Sequence, residues 1–232
     1  MKNRMLLTLL VATFSFGIMA QEPAVEANRE IRELQFFDRI KVSKGVNVTL
    51  VEGEKPQAEI YITNAETSEV IIEQKGSELI FKMRSRNYTD VALNVYLTYQ
   101  KLREISAGTG GTIEAEDLVE ADQLVLEAGM DAHINLEVEV QKLEVKASTS
   151  IIEISGTADF IDLRTSTRGQ FKGASLKAKE AAVSANTGST VQIWVTDKIV
   201  ANVASGATLE YAGNPGIVEA KETVGGKVVK LE

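Results

Sequence analysis

The 232-residue chain contains no cysteine. That excludes disulfide staples, a lipid-modified cysteine anchor and any cysteine-ligated zinc site. It contains one histidine, His133, so a histidine-rich metal site is excluded too. With no nucleophile-elbow motif beside it, that histidine cannot be argued into a Ser-His-Asp arrangement, and His133 is read as a surface residue. There are three prolines, Pro23, Pro56 and Pro215, all in expected loops, and only 6% of residues are aromatic. No segment has the apolar period of a helix. Basic clusters are missing as well. The formal charge is −8, which argues against nucleic-acid binding, because Lys and Arg neutralising phosphate dominate that affinity.

What is present begins with a targeting pattern. Lys2 and Arg4 precede a charge-free apolar run, residues 5–20, and Ala20 then meets a polar stretch. This is the layout of a secretory signal peptide over 1–20, with the cut after Ala20. The run is short for a bilayer-spanning helix, which needs roughly 20 apolar residues. Its removal takes away Lys2 and Arg4 and no acid, so the charge of −8 becomes −10 on an exported chain with no remaining membrane span. Residues 21–35 read as a linker. From Phe36 to residue 101 the pattern alternates with period two, as in Ile40-Lys-Val42 and in Val91, Leu93, Val95, Leu97 and Tyr99, which predicts half-buried strands. Lys75-Gly76-Ser77 between two apolar runs predicts a hairpin.

From residue 102 the texture changes to Ala, Gly, Ser and Thr between short apolar pieces. Six segments share one layout, starting at Ile105, Leu126, Val145, Leu163, Val183 and Ala201, with steps of 21, 19, 18, 20 and 18 residues. Two residues on stands a small or β-branched side chain (Ala107, Ala128, Ala147, Thr165, Ala185, Val203), then a tiny or small polar one (Gly108, Gly129, Ser148, Ser166, Asn186, Ala204). Each segment closes on an apolar residue. A step near twenty is too short for a strand-helix-strand crossover of roughly 30 residues. It suits one coil of a parallel β-helix, in which each coil stacks on the last at about 4.8 Å. An antiparallel sandwich with small-residue turns is the alternative. The expected architecture is all-β: residues 36–101 form a strand-rich cap, and residues 102–232 form a β-helix of about six coils.

The repeat decides the reading of Gly108, Gly110 and Gly111. A dinucleotide fingerprint needs a third glycine in the right place and a following helix, and both are missing, so these are corner glycines and not a phosphate cradle. Acids are plentiful: Glu114, Glu116, Asp117, Glu120, Asp122, Glu137, Glu139, Asp159 and Asp162. Two carboxylates at the right separation cleave glycosides, but outward acids on strands are ordinarily a solvated face. Only Asp131 occupies an aligned corner position, so a calcium ladder is not expected. Thr109, Met130, Thr149, Thr167, Thr187 and Ser205 form a column, read as a hydroxyl ladder between coils or as a stripe facing glycan hydroxyls. Tyr88, Tyr96, Tyr99 and Trp194 could stack on sugars, with core or cap packing as the plainer reading. Asn47-Val-Thr and Asn87-Tyr-Thr match glycosylation sequons.

The opening FDRIKVSKGVNVTLVEG, then VYLTYQKLREISAGTGGTIEA, then the small-residue turns ending near YAGNP, resemble the head GIN domain, a family described as auto-transporter adhesins of unknown function. The resemblance spans roughly Phe36 to Leu231 and rests on the order and spacing of these pieces. It implies a right-handed parallel β-helix in an exported bacterial protein, and it brings no catalytic residues. The expected function is a non-catalytic binding or adhesion module of the periplasm, cell surface or extracellular space. A glycan or an envelope protein is its partner, no catalytic, cofactor or metal residues are assigned, and the ligand-binding residues are unknown. The alternative is a polysaccharide-active β-helix hydrolase or lyase. A third reading is self-association through the open strand edges of the solenoid ends, with Lys227 and Lys230 as edge protection.

Overall fold

The computed structural model describes residues 27–231. The signal-peptide reading of residues 1–20 and the first part of the 21–35 linker lie outside the described residues. Seventeen strands join in one hydrogen-bonded sheet that winds into a solenoid of about seven turns. They are β1 (Asn28–Glu33), β2 (Arg39–Val42), β3 (Asn47–Glu52), β4 (Gln57–Thr63), β5 (Val70–Lys75), β6 (Glu78–Met83), β7 (Ala92–Tyr99), β8 (Glu104–Ala107), β9 (Thr112–Ala115), β10 (Val119–Gly129), β11 (His133–Ser148), β12 (Ile151–Ser166), β13 (Gln170–Ala185), β14 (Thr190–Ala204), β15 (Thr208–Ala212), β16 (Ile217–Thr223) and β17 (Lys227–Lys230). From β8 onward every pairing is parallel, as a stack of coils requires.

The register lays each repeat segment on the next. Ile105 pairs with Leu126, Leu126 with Val145, Val145 with Leu163, Leu163 with Val183 and Val183 with Ala201. These side chains are buried and form one inward column. A second inward column holds Ala107, Ala128, Ala147, Thr165, Ala185 and Val203, where small volume lets the wall turn towards the corner. A third holds Ile113, Ile134, Ile152, Phe171, Val191 and Leu209. Each fully buried Leu, Ile, Val or Phe contributes roughly 1.5–3 kcal/mol, so the columns hold the coils together without a disulfide. Thr165 is the polar member, and its hydroxyl is 2.9 Å from that of Ser189.

Between the second and third columns lies a tight corner. Two successive residues there have positive φ: Thr109 and Gly110, Met130 and Asp131, Thr167 and Arg168, Thr187 and Gly188, Ser205 and Gly206. The i→i+3 bonds from Gly111 N to Gly108 O, 3.1 Å, and from Gly169 N to Ser166 O, 2.8 Å, complete the type I′ pattern. The second turn residue donates its N–H to the carbonyl of the first turn residue in the next coil: Gly110 to Met130 at 2.8 Å, Asp131 to Thr149 at 2.7 Å, Arg168 to Thr187 at 3.0 Å. The ladder along this column is therefore made by the backbone. In the coil one residue shorter, only Thr149 has positive φ, and its hydroxyl reaches Thr167 O at 3.4 Å where the missing N–H would have been.

Two expectations differ from the structure. The solenoid does not start at residue 102. Ile40 stacks on Ile105 and Val48 on Ile113, so Ile40–Val48 is a further corner segment, turning at Lys44 and Gly45. Likewise Ala220 stacks on Ala201 and Val228 on Leu209, with the turn at Val224 and Gly225, which brings the stacked corners to eight. The cap is narrower than 36–101. It is the part where pairing turns antiparallel: β4 on β7, β5 on β6 and β1 on β4. The linker expected over 21–35 contains β1, whose single apolar residue hid it. Backbone pairing holds it, together with Arg32, which donates to Glu30, to Val70 O at 2.8 Å and to Thr67 O at 2.9 Å.

In the last described coil two inward positions become charged, while Ala220 and Val228 continue their columns. Glu222 lies in the column of Val203, and Lys230 in that of Tyr211. Inward charges at a sheet edge oppose further stacking. A double variant, Glu222→Val with Lys230→Tyr, makes both positions apolar and is expected to increase self-association in sedimentation velocity.

Gly156 sits in β12 with φ +103, and a Cβ there would lie 2.1 Å from Val138 O. Gly156→Ala should cost about 3 kcal/mol in urea unfolding. Thr167 holds a β-branched side chain at φ 48, so Thr167→Asn should raise stability by about 0.5–1 kcal/mol.

Tyr99 is buried and its hydroxyl has no partner; burial, then the charges of Glu52, Asp117 and Glu120, push the phenol up to about 12. Its folded value is raised, so its contribution is complete below about pH 10 and is lost as pH rises through about 12. Tyr99→Phe should leave neutral-pH stability unchanged or raise it by about 1 kcal/mol, and should flatten the alkaline fall in thermal midpoint.

Candidate functional site

Outside the columns, the residue just before each turn is small: Ser43, Gly108, Gly129, Ser148, Ser166 and Asn186, all half-buried. The register stacks Gly129 against Ser148 and Ser148 against Ser166, so these positions make one continuous floor. Two residues earlier, the side chains Lys41, Ser106, Glu127, Lys146, Arg164 and Ser184 form one wall, and turn residues such as Thr109 and Met130 form the other. The result is a trough of about 700 Å³ running along the solenoid axis over six coils. At about 4.8 Å per coil, its floor is about 24 Å long.

The trough has a definite electrostatic character. Its long side chains are three cations against one carboxylate, in a chain of formal charge −8. Lys146 is paired with Glu127, whose hydrogen bond and charge raise the ammonium above its ordinary value, so it is a cation at any physiological pH. Arg164 is held by Asp162 at 2.7 Å. Met130 is 66% exposed, and its Cε lies 3.7 Å from the position a Cβ on Gly108 would take, so the thioether leans over the floor.

Four of the nine acids singled out in the sequence collect elsewhere. Glu120, Asp122, Glu139 and Asp159 border a second depression of about 890 Å³, with Phe36, Asp38 and Arg103 at its rim. Asp38 is bound by Arg103 at 3.1 Å, Asp122 by Gln141 at 3.3 Å and Asp159 by Lys179 at 2.6 Å. Glu120 and Glu139 are register partners on neighbouring coils, so they project in parallel from one wall. Asp117 accepts from Glu52 N at 3.0 Å, and among the described residues no three acids or histidines gather to hold a metal ion. His133 borders a notch of about 350 Å³ beside Asp131, Arg168 and Gln170, opened where the coil of Thr149 is one residue short.

The aromatic candidates divide. Tyr88 donates to Glu69 at 3.0 Å, and Tyr99 is core. Tyr96 is 40% exposed and meets Tyr61 edge to face at 5.8 Å. Trp194 is 37% exposed with the Lys177 ammonium 5.4 Å from its ring centre. The glycine stretch 108–111 is confirmed as a corner, with Gly108 on the trough floor. What sequence reasoning missed is the wall of Lys41, Lys146 and Arg164. The signal was available one position past the first apolar residue of each aligned segment.

The family profile described as "Putative auto-transporter adhesin, head GIN domain" matches residues 36–215. No curated protein matches the chain. Among solved structures, a putative adhesin from Bacteroides fragilis is similar at 19% identity and TM-score 0.79, covering 90% of this chain and 98% of its own. A putative adhesin from Parabacteroides merdae is similar at 19% identity and TM-score 0.71, covering 89% and 97%. A putative lipid binding protein from Parabacteroides distasonis is similar at 16% identity and TM-score 0.66, covering 88% and 97%. At these identities the likeness shows the solenoid fold alone. The family profile, by contrast, spans most of the chain and runs from the first solenoid coil to the loop before the last one, so the chain belongs to the head GIN domain family.

Proposed function

We propose that this protein is an exported, non-catalytic binding module of the cell envelope, and that the trough is its contact surface. The observation that carries the reading is the trough itself: a half-buried floor of small residues, repeated over six coils, with Lys41, Lys146 and Arg164 on its wall. The adhesin description of the family supports a binding role at the surface, and no helix among the described residues is long and apolar enough to cross a membrane. A solenoid suits this work, because coils stacked at a constant spacing give a long, rigid surface whose outward residues are free of the core.

The test is binding of the secreted protein to isolated envelope and surface fractions, alongside a polysaccharide-degradation screen. Ser148→Tyr fills the floor without changing charge, and it should weaken retention at least tenfold while the far-UV spectrum stays that of a β-protein. Tyr96→Ala, on another face, should leave retention unchanged. Release of new reducing or unsaturated sugar ends by the unmodified protein would overturn the non-catalytic reading.

A further inference from the structure

The trough also restricts the chemistry of what can lie in it. We infer that its ligand is a linear acidic polysaccharide, extended along the solenoid axis with its carboxylates against Lys41, Lys146 and Arg164. This rests on the trough being the binding surface.

The direction comes first. One residue per coil makes the floor, so the trough runs across the strands. Its interior strands have both neighbours in the stack and spend their backbone groups on them. A polypeptide cannot add to this face as a strand, since that needs a free edge. A ligand lying here meets similar chemistry at every coil, about 4.8 Å apart. An extended sugar chain, whose unit is close to one strand spacing in length, meets that condition along its whole contact.

The floor and walls narrow the class. Ser43, Ser148, Ser166 and Asn186 offer hydroxyls and an amide to sugar hydroxyls, while Gly129 adds no side chain to the floor. Met130 supplies an apolar face above Gly108. Among the described residues no aromatic side chain lines the trough, so nucleobase stacking has no platform there. The cations are sparse: Lys41 on one coil, then Lys146 and Arg164 on adjacent coils further along, spanning about 19 Å. Duplex DNA carries a charge every ~1.7 Å and needs many more cations than this acidic chain provides. A polyuronate, with one carboxylate per acidic sugar, can meet Lys41 directly and share Lys146 and Arg164 with their partners Glu127 and Asp162.

Titration calorimetry with polygalacturonate and its oligomers tests the inference. Affinity is expected to rise with length up to about five or six sugars, the reach of six coils, and then level off per site. Lys41→Glu, which carries no core contact, should weaken binding about tenfold, and the Lys41→Ala, Lys146→Ala, Arg164→Ala triple variant at least a hundredfold. Ser148→Tyr should abolish binding, with Ser166→Tyr as the second floor variant should the first fail to fold. A neutral glucan should not bind; heparin, as a sulfated polyanion, should bind more weakly than the polyuronate. Binding without length dependence, binding that survives both floor variants, or equal binding of the neutral glucan would overturn the inference. If the floor variants abolish envelope retention while polygalacturonate does not bind, the ligand class is wrong and the binding surface stands. If retention survives a folded floor variant, the binding surface falls as well.

Discussion

The left-handed corner is the constraint on which the rest of this structure depends. Two consecutive residues with positive φ reverse the chain in a tight turn at seven of the eight corners, and in three of these the first is threonine, a β-branched residue that resists this conformation; at the eighth, Thr149 alone adopts it. The strain is offset between coils, because the N–H of the second turn residue finds the carbonyl of the first one in the next coil. The ladder works only when successive turns are in register. A coil that slipped by one residue would lose its corner bond and turn its apolar residues outward together. The short coil tests this logic: with one residue gone, its neighbours keep register and the Thr149 hydroxyl stands in for the lost donor.

From the corner follow the shape of the core and the shape of the surface. The residue before the turn must be small to let the wall bend, and the same position, facing out, becomes the floor of the trough. The binding surface proposed here is thus a by-product of folding, made by the residues that permit stacking. Only the wall two residues earlier is free to vary, and it is there that lysine, arginine and glutamate appear. The ends of the stack meet the edge problem in different ways. At one end antiparallel strands close over the parallel coils, and at the other Glu222 and Lys230 stand where the columns would continue.

Much of this was legible in the sequence. The six central corners could be aligned because each had an apolar start, a small residue two on and an apolar close. The corners of Ile40–Val48 and Ala220–Val228 were not read as members, for identifiable reasons. The first follows the layout in Ile40, Val42, Ser43 and Val48, but the whole cap intervenes before the next corner and breaks the step of about twenty residues. The last carries Glu222 where the pattern has a small or β-branched residue. β1 was hidden because backbone pairing and arginine bonds hold it, and neither leaves a hydrophobic period. The trough was hidden for another reason. Its floor was seen as a column of turn-formers, and nothing in one segment reveals that small residues on consecutive coils add up to a concavity.

That last point bears on what such a scaffold can recognise. An enzyme cleft gathers unlike groups from distant parts of a chain around one point. A solenoid instead repeats one position along a line, so its surface differs little from coil to coil except where a side chain departs from the pattern. A periodic polymer gains from every coil it covers, and a compact ligand gains from only one or two. The departures, Lys41, Lys146 and Arg164 among hydroxyls and glycines, then set where along the line the charges of that polymer come to rest. Sparse charge on a periodic floor selects both length and anion spacing.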